Sequence, residues 1–156
     1  MSSFFERYDP SILAIPAYFA LAMFPHGWAI KVASQGNISS WDNRNSRNTD
    51  MKAKIKARLP AETYEKYERL EACHASSVES FPLFTAAVVL GHVAGMKEDL
   101  TSFAAYFLVV RTAYMAVYAT HKTRGQTLLR TAIWYVGVGL CFTTIVRAAK
   151  TTGGGS

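Results

Sequence analysis

Charge is scarce in this chain: only 18% of its 156 residues are Asp, Glu, Lys or Arg, against roughly 25% in soluble domains. Acids are scarcer than bases, 11 against 17. There are only two cysteines, Cys73 and Cys141. Both fall inside apolar stretches, which excludes a disulfide framework of the kind that staples small secreted folds. Cys73 and His74 are adjacent, which is not ligand spacing on a helix, and His26, His74, His92 and His121 are scattered without zinc spacing. No metal site is expected, and the histidines read as packing or interface residues. The opening "MSSFFERYDP" lacks the basic n-region of a secretory signal, and the apolar run behind it is too long and is interrupted by Pro16 and Pro25, so it is not expected to be cleaved. Internal repeats are absent. The closing Gly-Gly-Gly-Ser reads as an appended linker.

What is present is hydrophobicity, half of all residues, gathered into segments at about 11–33, 72–96, 100–120 and 127–149. Each is long enough, at 1.5 Å per helical residue, to cross the roughly 30 Å hydrocarbon core of a bilayer. A soluble four-helix bundle would carry a polar stripe about every 3.6 residues. "SFAAYFLVVRTAYMAVYAT" and "TAIWYVGVGLCFTTIV" carry none. The expected fold is all-α: an integral membrane four-helix up-down bundle, with residues 1–150 as one domain and 151–156 as a tail.

The net charge of +6 could suggest nucleic acid, but its distribution argues for topology. Lys31, Arg44, Arg47, Lys52, Lys54, Lys56, Arg58, Lys66, Arg69, Lys122 and Arg124 flank the first and third loops, whereas the other side has only Arg7, Lys97, Arg147 and Lys150. The positive-inside rule makes the first and third loops cytoplasmic and turns both termini to the lumen or exterior. The same basic excess can touch anionic lipid head groups. Nucleic acid is not expected as a partner.

Pro16 and Pro25 are expected to kink the first span. "SQGNISSWDNRNSRNTDMKAKIKARLP" reads as loop by composition. After Pro60, good helix formers should let the second helix start well before its apolar part. Asp99 or Thr101 is the expected N-cap of the third span, and "THKTRGQT" marks the break before the fourth.

Three spans carry an ionisable residue: Glu79, Arg111 and Arg130. A charged group at the centre of an inserted helix costs about 2.5–3.5 kcal/mol, so such groups face the bundle interior and pair or bind something. Arg69, Ala72, Ser76 and Glu79 share one face of the second helix, and Arg111, Tyr114 and Tyr118 one face of the third. Arg130 and Thr131 lie near the start of the fourth. Glu79 is expected at the interior face, paired with Arg111 or with a ligand ammonium, and the rest lining a polar cavity open to the cytoplasm. These groups could equally be buried pairs and caps that only fix helix register. A cation-rich intramembrane face is more typical of a site for an anionic ligand.

"RLEACHASSVESFPLF", then "VRTAYMAVY", then "LLRTAIWYVG", resembles the MAPEG superfamily, the membrane-associated proteins of eicosanoid and glutathione metabolism. The likeness covers nearly the whole chain, and the "WDNRNSR" loop is similar to fungal members in particular. It implies a homotrimer, an endoplasmic reticulum membrane, and glutathione held between subunits near the cytoplasmic side. It also implies glutathione transfer, peroxide reduction or isomerisation of a lipophilic substrate. By this resemblance Glu79 and His74 match the family's helix-two acid and histidine. Arg111 and Tyr118 match its helix-three Arg and Tyr, with Tyr114 a second contact, and Arg130-Thr131 matches the Arg-Ser pair at the thiol. Arg69 and Ser76 complete the expected cofactor face, and Arg130, Thr131 and Tyr118 the catalytic set. The chain departs from the pattern at Ala72 and Ser76, where glutathione-using members have an Arg and then an Asn, and at Ala75, where some members have another Arg. Each lost charge-assisted hydrogen bond is worth about 1.5–3 kcal/mol.

Three functions therefore stand side by side: a glutathione-dependent transferase or peroxidase, a glutathione-independent isomerase or cyclase of a hydrophobic metabolite, and a non-catalytic membrane regulatory protein. The last would need Gly91, Gly95 and Gly137 for packing but not Arg130 or Tyr118.

Overall fold

The computed structural model of the chain describes residues 8–41, 49–120 and 124–154. The residues through Arg7, the 42–48 part of the first loop with Arg44 and Arg47, His121 and Lys122, and the last two residues of the tail lie outside the described residues. Among the described residues there is no strand. The helices are α1 (Pro10–Ala33), α2 (Thr49–Arg58), α3 (Ala61–Val93), α4 (Lys97–Thr120) and α5 (Arg124–Gly153), with a short 3-10 turn at Ile38–Ser40. All but α2 are long and apolar enough to cross a bilayer. The protein is an all-α integral membrane four-helix bundle, as the hydropathy of the four segments predicts.

Asp9 starts α1 by accepting hydrogen bonds from the Ser11 amide (3.0 Å) and hydroxyl (2.7 Å), with Pro10 in the first helical turn. The helix then runs on through Pro16 and Pro25. Each proline removes a backbone donor, and a neighbouring helix can supply a replacement. Near Pro25, His74 on α3 adds a bond from outside the helix, its Nδ1 donating to the Ala22 carbonyl at 2.9 Å.

Helix α3 has 33 residues, about 50 Å at 1.5 Å each, so it outruns the hydrocarbon core, as the helix formers after Pro60 predict. It ends where Gly95 takes φ +75°, a left-handed conformation that glycine enters without penalty. There the Met96 amide donates to the Gly91 carbonyl at 2.9 Å and the Gly95 amide to that of His92 at 3.0 Å. This tight corner corrects the expected start of the third span. The Leu100 amide already bonds the Met96 carbonyl at 3.1 Å, so α4 begins at Lys97 and neither Asp99 nor Thr101 is an N-cap. Asp99 instead pairs with Arg147 on α5. The fourth helix likewise starts earlier than expected, at Arg124.

The first loop also differs from expectation, since α2 forms within it. Its Lys-Ala-Lys-Ile run is helix-forming, and burial of Ile55 and Leu59 against Ala29, Ala33, Tyr64, Tyr67 and Leu70 holds it in place. Arg58 reinforces the contact by donating to the last α1 carbonyl, that of Ala33.

The core lies along α3, which touches α1, α4 and α5. Phe84 stacks on Phe107 at 4.3 Å, and Tyr18 meets both rings edge-on. Tyr18 is fully buried and its hydroxyl donates to the Ser77 carbonyl at 2.8 Å. Cys73 and Cys141 are free and buried. Between 22% and 39% of the residues in the four apolar stretches are buried, and large apolar side chains, Phe24, Tyr106, Val109, Leu128 and Tyr135 among them, are exposed. Such a surface suits hydrocarbon.

Candidate functional site

The buried stripe of α3 is Cys73, Ser77, Ser80, Phe84, Ala87, Val88 and Gly91, a 3- and 4-residue spacing that turns one side of the helix to its neighbours. Helix α4 turns Arg111 and Tyr114 inward. With Tyr18 of α1 and Arg130 of α5 these faces build a ladder of cations and rings. The Arg111 guanidinium lies 4.4 Å from the Tyr114 ring centre and 5.8 Å from that of Tyr18. Tyr114 meets Tyr118 edge-on at 5.5 Å, and the Arg130 guanidinium stacks 4.3 Å from Tyr118. The ladder runs from the core to a half-buried rim at Arg130.

Arg111 is 1% exposed, and a buried cation must be compensated. It donates to the Ser76 carbonyl at 3.3 Å and the Ser77 hydroxyl at 3.4 Å. The faces of two rings add cation–π attraction. Its Nε has no hydrogen-bond partner among the described residues. Tyr114 donates to the Ser76 hydroxyl at 2.8 Å, so Ser76, Arg111 and Tyr114 form one network. The structure thus brings together Ser76, Arg111, Tyr114, Tyr118 and Arg130.

It does not bring Glu79 in. Contrary to expectation, Glu79 is exposed on the outer side of α3, off the buried stripe, and among the described residues no ion pair joins it to Arg111. The reason is that a carbonyl, a hydroxyl and two rings already surround the guanidinium. Glu79 and Arg130 are both near enough to act electrostatically on Tyr118. Thr131 is exposed too, its hydroxyl donating back to the Thr127 carbonyl at 3.0 Å. Arg130 and Thr131 lie about two turns into α5 because that helix starts early.

Two other expected members sit elsewhere. His74 faces α1, stacked on His26 at 4.9 Å. Arg69 lines an open cleft of about 710 Å³ with Lys31, Gln35, Glu62, Lys66 and Ala119, at the end of the bundle that carries the first and third loops. The polar cavity expected from the sequence therefore corresponds in part to this cleft, which holds Arg69, while the Arg111 network is packed within the bundle. The sequence reading missed Glu71, which bonds His26 at 2.8 Å. Its signal was its place three residues before His74, on the same helix face. It also missed Tyr18, a ring wall for Arg111, whose sequence context is that of any core aromatic.

A family model, that of the MAPEG family, matches residues 12–150. The chain belongs to the MAPEG family. MAPEG proteins are membrane proteins associated with glutathione and eicosanoid metabolism, and the four spans agree with that membership. Comparison with curated proteins and with solved structures gave no match.

Proposed function

We propose that this MAPEG protein is a glutathione-dependent transferase or peroxidase acting on a lipophilic electrophile that reaches it from the bilayer. One observation carries the reading: two opposite charges remain open around Tyr118. Arg130 stacks on its ring at 4.3 Å, and Glu79 is exposed, with no hydrogen bond or ion pair among the described residues.

Glutathione brings an ammonium, two carboxylates and a thiol. Glu79 suits the ammonium and Arg130 the sulfur, so the residues fit at those two ends. For the carboxylates, Arg111 is turned to Ser76 and Ser77, Ala72 offers no donor, and Arg69 is the further cation on that helix face. Ser76 and Tyr114 border the middle, and His74 fixes the register of α3 against α1 from behind. When bound, glutathione supplies a sulfur nucleophile. Arg130 favours its thiolate as any nearby cation does, Tyr118 positions Arg130 by stacking, and Thr131 donates a hydrogen bond once turned from the Thr127 carbonyl.

Ala72 and Glu79, seven residues apart on one face of α3, and Thr131 on α5 are exposed. A homotrimer in which a neighbouring copy covers that face accounts for polar groups on an otherwise apolar surface. MAPEG membership favours an endoplasmic reticulum protein, and the basic excess favours its first and third loops in the cytoplasm.

The test is calorimetric titration of glutathione into the detergent-purified protein, with Arg130→Ala beside it. Binding at millimolar concentration or tighter, lost in the variant, is expected. A specific observation favours a second reading: the Ser76 hydroxyl is engaged by Tyr114, and Ala72 and Ala75 withdraw donors. An isomerase or cyclase working without glutathione, with Tyr118, Tyr114 or Arg130 as hydrogen-bond donors to a carbonyl-containing metabolite, would show no glutathione binding up to tens of millimolar. It would turn over in thiol-free membranes.

A further inference from the structure

A second feature lies on the other side of the bundle, between α1 and α4. Leu21, Phe24, Pro25 and Trp28 of α1 face Thr112, Met115, Ala116 and Ala119 of α4 across an apolar groove of about 210 Å³ floored by Leu70 and Cys73. On each helix these residues recur at three- and four-residue intervals, so each presents one continuous stripe. The groove continues along Phe24, Gly27, Trp28 and Lys31 into the cleft of Lys31, Gln35, Lys66 and Arg69, to which Ala119 also contributes. From Leu21 to Lys31 the stripe covers about 15 Å along α1, the depth of one leaflet of a roughly 30 Å core, and Gln35 follows in the turn beyond the helix.

The two ends of this path differ in chemistry. The deep end is lined almost wholly by carbon. The shallow end holds three cations, Lys31, Lys66 and Arg69, against one lining carboxylate, Glu62. Among the described residues the Arg69 Nε is buried without a hydrogen-bond partner, and its guanidinium pairs with the exposed Glu65 at 3.7 Å. Lys66 lies over the Trp28 ring at 4.7 Å, so the cationic head region begins where the indole closes the groove. The first turn of α3 also borders the cleft through Pro60, Glu62 and Thr63, and among the described residues no side chain caps it. An apolar channel in a membrane helix pair, opening at head-group depth onto more cations than carboxylates, complements an anionic amphiphile with its charge at one end.

We propose that this path is a binding site for one anionic phospholipid of the leaflet beside the first and third loops, its acyl chain along Leu21, Trp28 and Met115 and its phosphate among Lys31, Lys66 and Arg69. Arg69 is common to this site and the glutathione reading, whereas Lys31, Lys66 and the apolar groove belong to this site alone, so loss of lipid binding in their variants is separable from failure of the catalytic reading. The lipid would brace α1 against α4 at the end where α2 docks.

The test uses the delipidated full chain in an uncharged detergent, titrated with dioleoyl phosphatidylserine or dioleoyl phosphatidylcholine and read by native mass spectrometry, with helical content checked by circular dichroism. Phosphatidylserine should bind tighter than phosphatidylcholine. Lys31→Gln and Lys66→Gln should each weaken it about fivefold without changing phosphatidylcholine. Ala116→Trp, which fills the groove, should weaken both lipids. Equal binding of the two lipids, or phosphatidylserine binding untouched in the Lys31→Gln/Lys66→Gln double variant, would overturn the proposal. So would phosphatidylserine that survives Ala116→Trp but is displaced by inorganic phosphate, since the cleft would then hold a soluble anion and not a lipid.

Discussion

Arg111 is the largest side chain that the described bundle fully buries, and it shows how a membrane protein holds a cation without a carboxylate. Its charge is spread over the Tyr114 and Tyr18 rings, a carbonyl and a hydroxyl, all of which need its flat, forked shape. Arg111→Lys keeps the charge but loses the stacking plane, whereas Arg111→Met removes the charge and keeps the volume. The lysine variant is therefore expected to be the less stable of the two, by about 1–3 kcal/mol, in thermal unfolding in detergent. At the opposite end of the bundle, Asp9 holds the start of α1. The hydrogen bond from the Ser11 hydroxyl, followed by the Ser11 amide and nearby His92, sets its carboxyl below its ordinary 3.8 despite an opposing effect of burial. A depressed folded value means that the stabilisation is present above pH 3.8 and is lost as pH falls through the folded value. Asp9→Ala should cost about 1 kcal/mol at neutral pH, and the gap from the unmutated protein should close in acid denaturation curves as pH drops below 3.8.

Between elements, the corner joining α3 to α4 depends on two glycines for different reasons. A Cβ on Gly91 would lie 2.5 Å from the Leu100 side chain, which is itself fully buried. Gly91→Ala should destabilise by about 1–3 kcal/mol through overpacking. Gly95→Ala meets no neighbour but must hold φ +75°, at about 1–2 kcal/mol. Gly137 is the looser contact, with Val110, Phe107 and Arg111 at 3.7–3.8 Å from an added Cβ, so Gly137→Ala should be tolerated. Unfolding midpoints of the three variants rank these effects. Helix α2 depends on Ile55 and Leu59, 4% and 6% exposed. Leu59→Ala removes about 2 kcal/mol or more of packing from a helix too short to persist alone. Trypsin should then cut at Lys52, Lys54, Lys56 or Arg58 faster than in the unmutated protein, while the four spans stay intact.

For the whole molecule, the outward apolar surface fixes the environment. Phe24, Val93, Tyr106, Val109 and Leu128, spread over α1, α3, α4 and α5, are each more than 60% exposed, a surface suited to cover by hydrocarbon or another copy of the chain. The protein should stay in the pellet when membranes are washed with alkaline carbonate and be released by detergent. A protein held only by its basic loops would leave with the wash.

The amino-acid sequence by itself determined the four spans, the length of α3 beyond its apolar part, the free cysteines and the shared face of Arg111, Tyr114 and Tyr118. These follow from run length, charge and the 3.6-residue period, which act along one helix. Only the tertiary structure decided which way each span turns. A helix that is apolar nearly all round has no polar stripe to mark its outside, so Glu79 could be drawn inward on paper although Ser76, Ser77 and two rings had already taken up the guanidinium. The same holds for His74, turned to α1 by the carbonyl beside Pro25, and for α2, whose polar composition hides two residues, Ile55 and Leu59, that find a core only once α1 and α3 stand next to them.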